Sequence, residues 1–176
     1  MTSVTIITVG AACRHPKVWS FPRTGLSNFN ILKTKRILEI ARIRPALNQA
    51  ELHPYLPQSD LLHFFTQQGI HITAHQPLGG RPVAAVNPNA DRPGALSDPD
   101  IAQIASAYGK VPAQVLLSWA VQRGTSVVPK TVHVDRMVEN RDLFRLSDEH
   151  MTRIERIAEV KGAVRYLNPR NHIGFD

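Results

Sequence analysis

Residues 126–140 read S-V-V-P-K-T-V-H-V-D-R-M-V-E-N. A short β-branched run stops at Pro129 and hands over to Lys130 and Thr131. A helical pattern follows, placing Arg136, Glu139 and Asn140 at i, i+3 and i+4, on one face. A strand end, two cations and a helix start make a place to hold a phosphate, because backbone N–H groups and positive charge converge there. Arg136 offers two N–H groups in a fork, whereas Lys130 acts as a point charge. The plainer reading of the same residues is a solvated helix face.

Other side chains suited to chemistry are fewer. Asn28 and Gln49 fall at the ends of expected strands, and amide groups pair both the donors and the acceptors of a carboxamide. The alternative is turn and cap chemistry for Ser27 and Asn28, and a buried strand amide for Gln49. Glu51, His53, His63 and His71 invite a metal reading, but their spacing matches no standard ligand pattern and His53-Pro54 marks a turn. No metal site is expected. Cys13 is the single cysteine, so an intrachain disulfide is excluded, which fits a reducing, cytoplasmic setting. Tyr108 and Tyr166 lie on or after helices with no Lys and His paired to them, so no catalytic acid is assigned.

The chain has 176 residues, of which 43% are hydrophobic and 20% charged, as in ordinary globular domains. Its formal net charge is +7. The cations are spread along the chain without a Lys/Arg run, which argues against a nucleic-acid surface. Arg36, Arg42 and Arg44 come nearest to a cluster and fit the solvated side of a helix. No apolar run approaches membrane-spanning length, so no membrane partner is expected. Residues 4–13 resemble a secretory apolar core, but no Lys or Arg precedes them, and they read as a weak strand or a tail.

Short β-like runs alternate with amphipathic helices from residue 25 onward. Ser27 and Asn28 are placed to cap a helix starting near Ile31, with Ile31, Leu38 and Ala41 on one face. Residues 45–51 predict a strand, 57–68 a helix ended by Gly69, and 70–75 a strand. A Pro/Gly/Asn-rich connection spans 76–97, long enough to be functional or disordered. Ser97 is the expected cap of a helix running to Tyr108. Residues 112–122 predict a deeply packed helix, apolar on most sides. A strand at 125–128, the helix carrying Arg136, and a last helix capped by Ser147 with Met151, Ile154 and Ile157 inward complete the pattern. A further strand is expected just before Ser27. Strands separated by helices imply an α/β fold with a parallel sheet.

Five ordered motifs carry a family resemblance: G-L-S-N-F-N at 25–30, N-Q-A-E-L-H-P-Y-L-P-Q at 48–58, I-T-A-H-Q-P-L-G at 72–79, P-A-Q-V-L-L-S-W-A-V-Q-R-G at 112–124, and V-P-K-T at 128–131 with Arg136 and Glu139-Asn140. Together they resemble the NADP-dependent aldo-keto reductases, in a fungal-like spelling. The resemblance implies a partial (β/α)8 TIM barrel: about four C-terminal βα units with parallel strands over residues 25–176, preceded by an atypical segment, 1–24. It implies NADP(H) as cofactor. Ser27, Asn28 and Gln49 match residues that hold the nicotinamide amide. His75 stands where the family usually has a stacking Tyr, and Gln76 where a Ser follows. Leu78, Gly79 and Gly80 begin a loop that straps the pyrophosphate, where glycines allow close backbone approach. Lys130, Thr131 and Arg136 match ligands of the 2′-phosphate, and Glu139 and Asn140 match adenine contacts.

The family reduces aldehydes and ketones with NADPH, using a Tyr, Lys, Asp and His in the first half of its barrel. Residues 1–24 do not resemble that half. Tyr55 belongs to the structural H-P-Y-L-P-Q motif and is not the family's acid. The expectation is therefore a chain inactive by itself, with a small carbonyl compound as the family's substrate. Some fungal members act in secondary-metabolite or toxin pathways. The rivals are a non-catalytic NADP-binding or interaction half-barrel, and a truncated, inactive gene product. Open strand edges predict self-association. The Arg165–Arg170 stretch resembles the start of the family's final substrate loop.

Overall fold

The computed structural model describes residues 24–80 and 94–167. The expectations for residues 1–23 (Cys13 among them), for 81–93 in the long connection, and for 168–176 lie outside the described residues. Four parallel strands alternate with helices. They are β1 (Thr24–Ser27), β2 (Pro45–Glu51), β3 (His71–His75) and β4 (Ser126–Val127), hydrogen-bonded in the order β1-β2-β3-β4. The helices are α1 (Ile31–Ile40), α2 (Ser59–Gln67), α3 (Pro99–Ala107), α4 (Pro112–Gln122), α5 (Val134–Arg141), α6 (Asp148–Glu155) and α7 (Ile157–Lys161).

The chain divides into two compact units: residues 1–50 with 59–73, and residues 51–58 with 74–176. In the first unit β1 runs parallel to β2, with Ser27 opposite Gln49. Its core includes Leu26, Phe29, Leu61, Phe65 and Ile72. Helix α1 turns the expected face inward, but only Thr34, between Ile31 and Leu38, is fully buried. Its cap is Asn30, whose Oδ1 accepts from the Lys33 N–H at 2.8 Å. Ser27 is still in β1 and Asn28 in the turn, so the expected cap is corrected by two to three residues. The β1 end needs these residues for its own turn.

In the second unit α4 forms the centre. Residues 114–120 are all buried, which its nearly all-round apolar sequence requires. Its polar residues form a ladder. Gln114 Nε2 donates to the Asp142 carbonyl at 2.9 Å, Ser118 Oγ accepts from the Phe144 N–H at 3.1 Å, and Gln122 both accepts from and donates to the Leu146 backbone at 3.0 Å. Four helical residues rise about 6 Å and two extended residues about 6.6 Å, so every fourth side chain meets every second backbone unit. The ladder fixes the segment leaving α5.

One more cap differs from expectation. Asp98, not Ser97, caps α3, accepting from Asp100 N–H at 2.8 Å. Ser97 lies in a 3-10 turn (Ala95–Ser97), with its hydroxyl donating to the Gly94 carbonyl. Ser147 does cap α6, through the His150 N–H. The last helix is broken at Arg156 into α6 and α7, yet Ile154 and Ile157 both stay buried.

Candidate functional site

In the first unit, the β1 and β2 ends bring three expected residues together. Gln49 is the register partner of Ser27. The Asn28 N–H donates to the Gln49 carbonyl at 2.8 Å, and Asn28 Nδ2 donates to Ser27 Oγ at 3.3 Å. Asn28 has φ +58°, a left-handed conformation that a short polar side chain tolerates. The sequence reading missed the residue that fixes this turn. Asn48 is fully buried; its Nδ2 donates to the Phe29 carbonyl at 3.0 Å and its Oδ1 accepts the Phe29 N–H at 3.4 Å. β2 carries Asn48, Gln49 and Glu51 close together, so its sequence alone did not single Asn48 out.

In the second unit, His75 ends β3 and is half-buried. Burial holds its imidazole below the ordinary value of 6.5; Arg165 and His53 push the same way and Glu51 opposes them. Gln76 follows at φ +49°, and the Gly79 N–H closes a turn on its carbonyl at 2.9 Å. Gln76 Oε1 is buried and makes no hydrogen bond among the described residues. Leu78 and Gly80 are half-buried in that turn. Gly79 has φ +58°, and a Cβ there would lie 3.0 Å from Ala95 Cβ and 3.1 Å from Tyr166 Cε2, so only glycine fits.

The β4-to-α5 turn in the same unit has the expected form. Lys130 and Arg136 are exposed, while Thr131, Glu139 and Asn140 are half-buried. Thr131 Oγ1 accepts from the His133 N–H at 3.1 Å. Helix α5 buries none of its residues. Neither Lys130 nor Arg136 forms an ion pair among the described residues, although most cations of α6 and α7 do. Two uncommitted cations at a helix start are suited to an anion.

The tyrosines do not offer an acid. Tyr55 is buried and its hydroxyl donates to Asp98 Oδ2 at 2.5 Å. Lys161 reaches the same carboxylate at 2.7 Å. The Tyr108 hydroxyl accepts from the Ser147 N–H at 2.9 Å and lies 3.0 Å from His150 Nδ1. Tyr166 is buried against His53, ring centroids 4.8 Å apart. Glu51 and His53 form a buried pair at 2.9 Å. Burial pushes the Glu51 carboxyl up, but the bonds from His53 and from the Tyr166 and Leu167 amides leave it below its ordinary value. Among the described residues no three His, Cys, Asp or Glu side chains group to hold a metal. No described helix is long and apolar enough to cross a membrane. A groove of about 650 Å³ opens beside α6 and α7, but it contains none of the expected residues, and Asp100, Arg153 and Lys161 on its wall are already paired.

Four parallel strands alternating with helices define an α/β protein of the βα-barrel class. A family model described as Aldo/keto reductase family matches residues 23–159. The chain belongs to that family. It is 47% identical over 146 residues to an aldo/keto reductase of Synechocystis, covering 82% of this chain and 44% of that protein. It is 38% identical to a glycerol 2-dehydrogenase (NADP(+)) of Saccharomyces cerevisiae, covering 88% and 47%. A solved aldo-keto reductase complexed with NADPH superposes with TM-score 0.70 at 32% identity, over 82% of this chain and 44% of that one. The chain thus spans about half the length of the curated relatives it matches, and its fold is part of the family's (β/α)8 barrel.

Proposed function

We propose that this chain carries the NADP(H)-holding part of an enzyme that reduces an aldehyde or ketone to an alcohol. The observation that carries the reading is the β4-to-α5 turn, where Lys130 and Arg136 stand exposed and without ion pairs among the described residues. In this reading Lys130, Thr131 and Arg136 hold the 2′-phosphate, and Glu139 and Asn140 meet the adenine. Gln76, Leu78 and Gly80 serve the pyrophosphate and ribose, and His75 stacks on the nicotinamide. Ser27, Asn28 and Gln49 of the first unit match, by motif alone, the family residues that pair a nicotinamide carboxamide. Bound NADPH supplies the hydride. In this reading the described residues supply binding and orientation, and no general acid is assigned among them. The chain by itself should bind NADPH without turning it over.

Fluorescence titration tests this. Arg136→Ala removes a charge-assisted contact of about 1.5–3 kcal/mol, so NADPH affinity should fall roughly 10- to 100-fold while NADH affinity holds. Equal loss for both coenzymes refutes the 2′-phosphate assignment. NADPH oxidation with a nitrobenzaldehyde by the chain alone refutes the missing acid. The yeast relative, at 38% identity, favours a fungal pathway enzyme, and the cyanobacterial relative, at 47%, weighs against it. A secondary reading, self-association, is favoured by β1 and β4 each ending the strand order among the described residues. Sedimentation showing a monomer at all concentrations removes it.

A further inference from the structure

The last described residues are seated by one buried carboxylate. Glu51 has no exposure. Its Oε1 lies 2.9 Å from His53 Nε2 and accepts the Tyr166 N–H at 2.6 Å; Oε2 accepts the Leu167 N–H at 3.0 Å. Two residues before Tyr166, the Val164 N–H donates to the Tyr55 carbonyl at 2.9 Å. Residues 164–167 are therefore fixed at both ends to the 51–58 segment. The Tyr166 ring so placed forms one wall of the Gln76–Gly79 turn, and Ala95 forms the other. The wall is tight enough to exclude any Cβ at position 79. That turn presents Gln76, whose Oε1 is a buried acceptor with no donor among the described residues. A buried acceptor without a partner is costly unless a ligand hydroxyl or N–H completes it.

We propose that Glu51 is a positioning residue for the cofactor loop. It seats Tyr166, and Tyr166 holds the Gln76–Gly80 turn in the form that receives a dinucleotide's pyrophosphate and adjoining ribose, with Gln76 Oε1 accepting a ribose hydroxyl. The inference rests on the NADP(H) reading above. Glu51 acts here through both oxygens as an acceptor of backbone N–H groups. Gln keeps the shape but turns one acceptor into a donor, so one amide at 166 or 167 loses its partner.

The test uses the full chain and two probes, NADPH and adenosine 2′,5′-bisphosphate. The second carries the 2′-phosphate and adenine but no pyrophosphate bridge. Glu51→Gln should weaken NADPH on the order of tenfold, as expected for a displaced binding turn, and leave the bisphosphate within about twofold. Hydrogen exchange at the Tyr166 and Leu167 amides should quicken. Tyr166→Ala should give the same selective loss, and the double variant should lose no more than Tyr166→Ala alone, because the two act in series. Gly79→Ala deforms the turn directly and should also weaken NADPH alone; with far-UV circular dichroism as the folding check, it keeps the test open should Glu51→Gln fail to fold. Unchanged NADPH affinity in these folded variants overturns the proposal, as does equal loss of both probes. Wild-type chain that binds neither probe refutes the cofactor reading itself and the inference with it. Wild-type binding of both with additive losses refutes the inference alone.

Discussion

Asn48 shows how one buried side chain can set the shape of a turn it does not belong to. It satisfies both backbone groups of Phe29, and so fixes the turn that carries Asn28. Asn48→Ala should cost roughly 1–3 kcal/mol, the penalty for orphaned buried backbone groups, read as a lower urea midpoint at unchanged slope. A variant as stable as wild type refutes the clamp. Sequence shows that an Asn occupies position 48 but not which backbone it faces. For the same reason the caps at Asn30 and Asp98 were displaced by one to three residues: several neighbouring Ser, Asn and Asp side chains qualify, and only the geometry of the first turn selects among them. The proposed ligand residues rest on the order and spacing of their motifs. His75 was legible as a departure, and its low basicity was not, since that follows from burial beside His53 and Arg165.

At the scale of elements, Asp98 caps α3 and also accepts from Tyr55 and Lys161 of α7. Burial pushes its carboxyl up, but Lys161, Tyr55 and the Asp100 amide together hold it below 3.8. A depressed carboxylate contributes stability that is complete above the unfolded value and is lost as pH falls through the folded one. Stability of the wild type should therefore drop as pH falls below about 4, and Asp98→Asn should be less stable near neutrality with a flatter acid limb. Parallel urea midpoints for the two across pH 2–6 refute this. The α4 ladder is a second element-scale device. Gln122→Ala leaves the Leu146 N–H and carbonyl unpaired, and should cost about 1–3 kcal/mol and speed amide exchange at 142–146. Protection unchanged in that segment counts against it. Strand and helix existence was legible from periodicity, and α4 was read to the residue from its bounding Pro112 and long apolar run. The Gln114-Ser118-Gln122 ladder was not, because its meaning depends on the segment that α4 meets after α5.

For the molecule as a whole, alternation of strands and helices pointed to the parallel fold, and the five ordered motifs to the family; both stand. The division into two units was not legible, because it cuts β2 after Ala50 and β3 after Thr73 with no change in composition. What the chain does remains tied to its span, about half that of its relatives. One described feature reaches further. All three tyrosines, Tyr55, Tyr108 and Tyr166, are either buried or held in hydrogen bonds. Each phenol ring is thus held in a fixed, asymmetric setting. The near-ultraviolet circular dichroism of the chain should therefore collapse together with the far-ultraviolet signal on urea unfolding, and a near-ultraviolet signal lost well before it would show the rings loosely held. Its near-ultraviolet signal would then report, without any label, whether a preparation is folded.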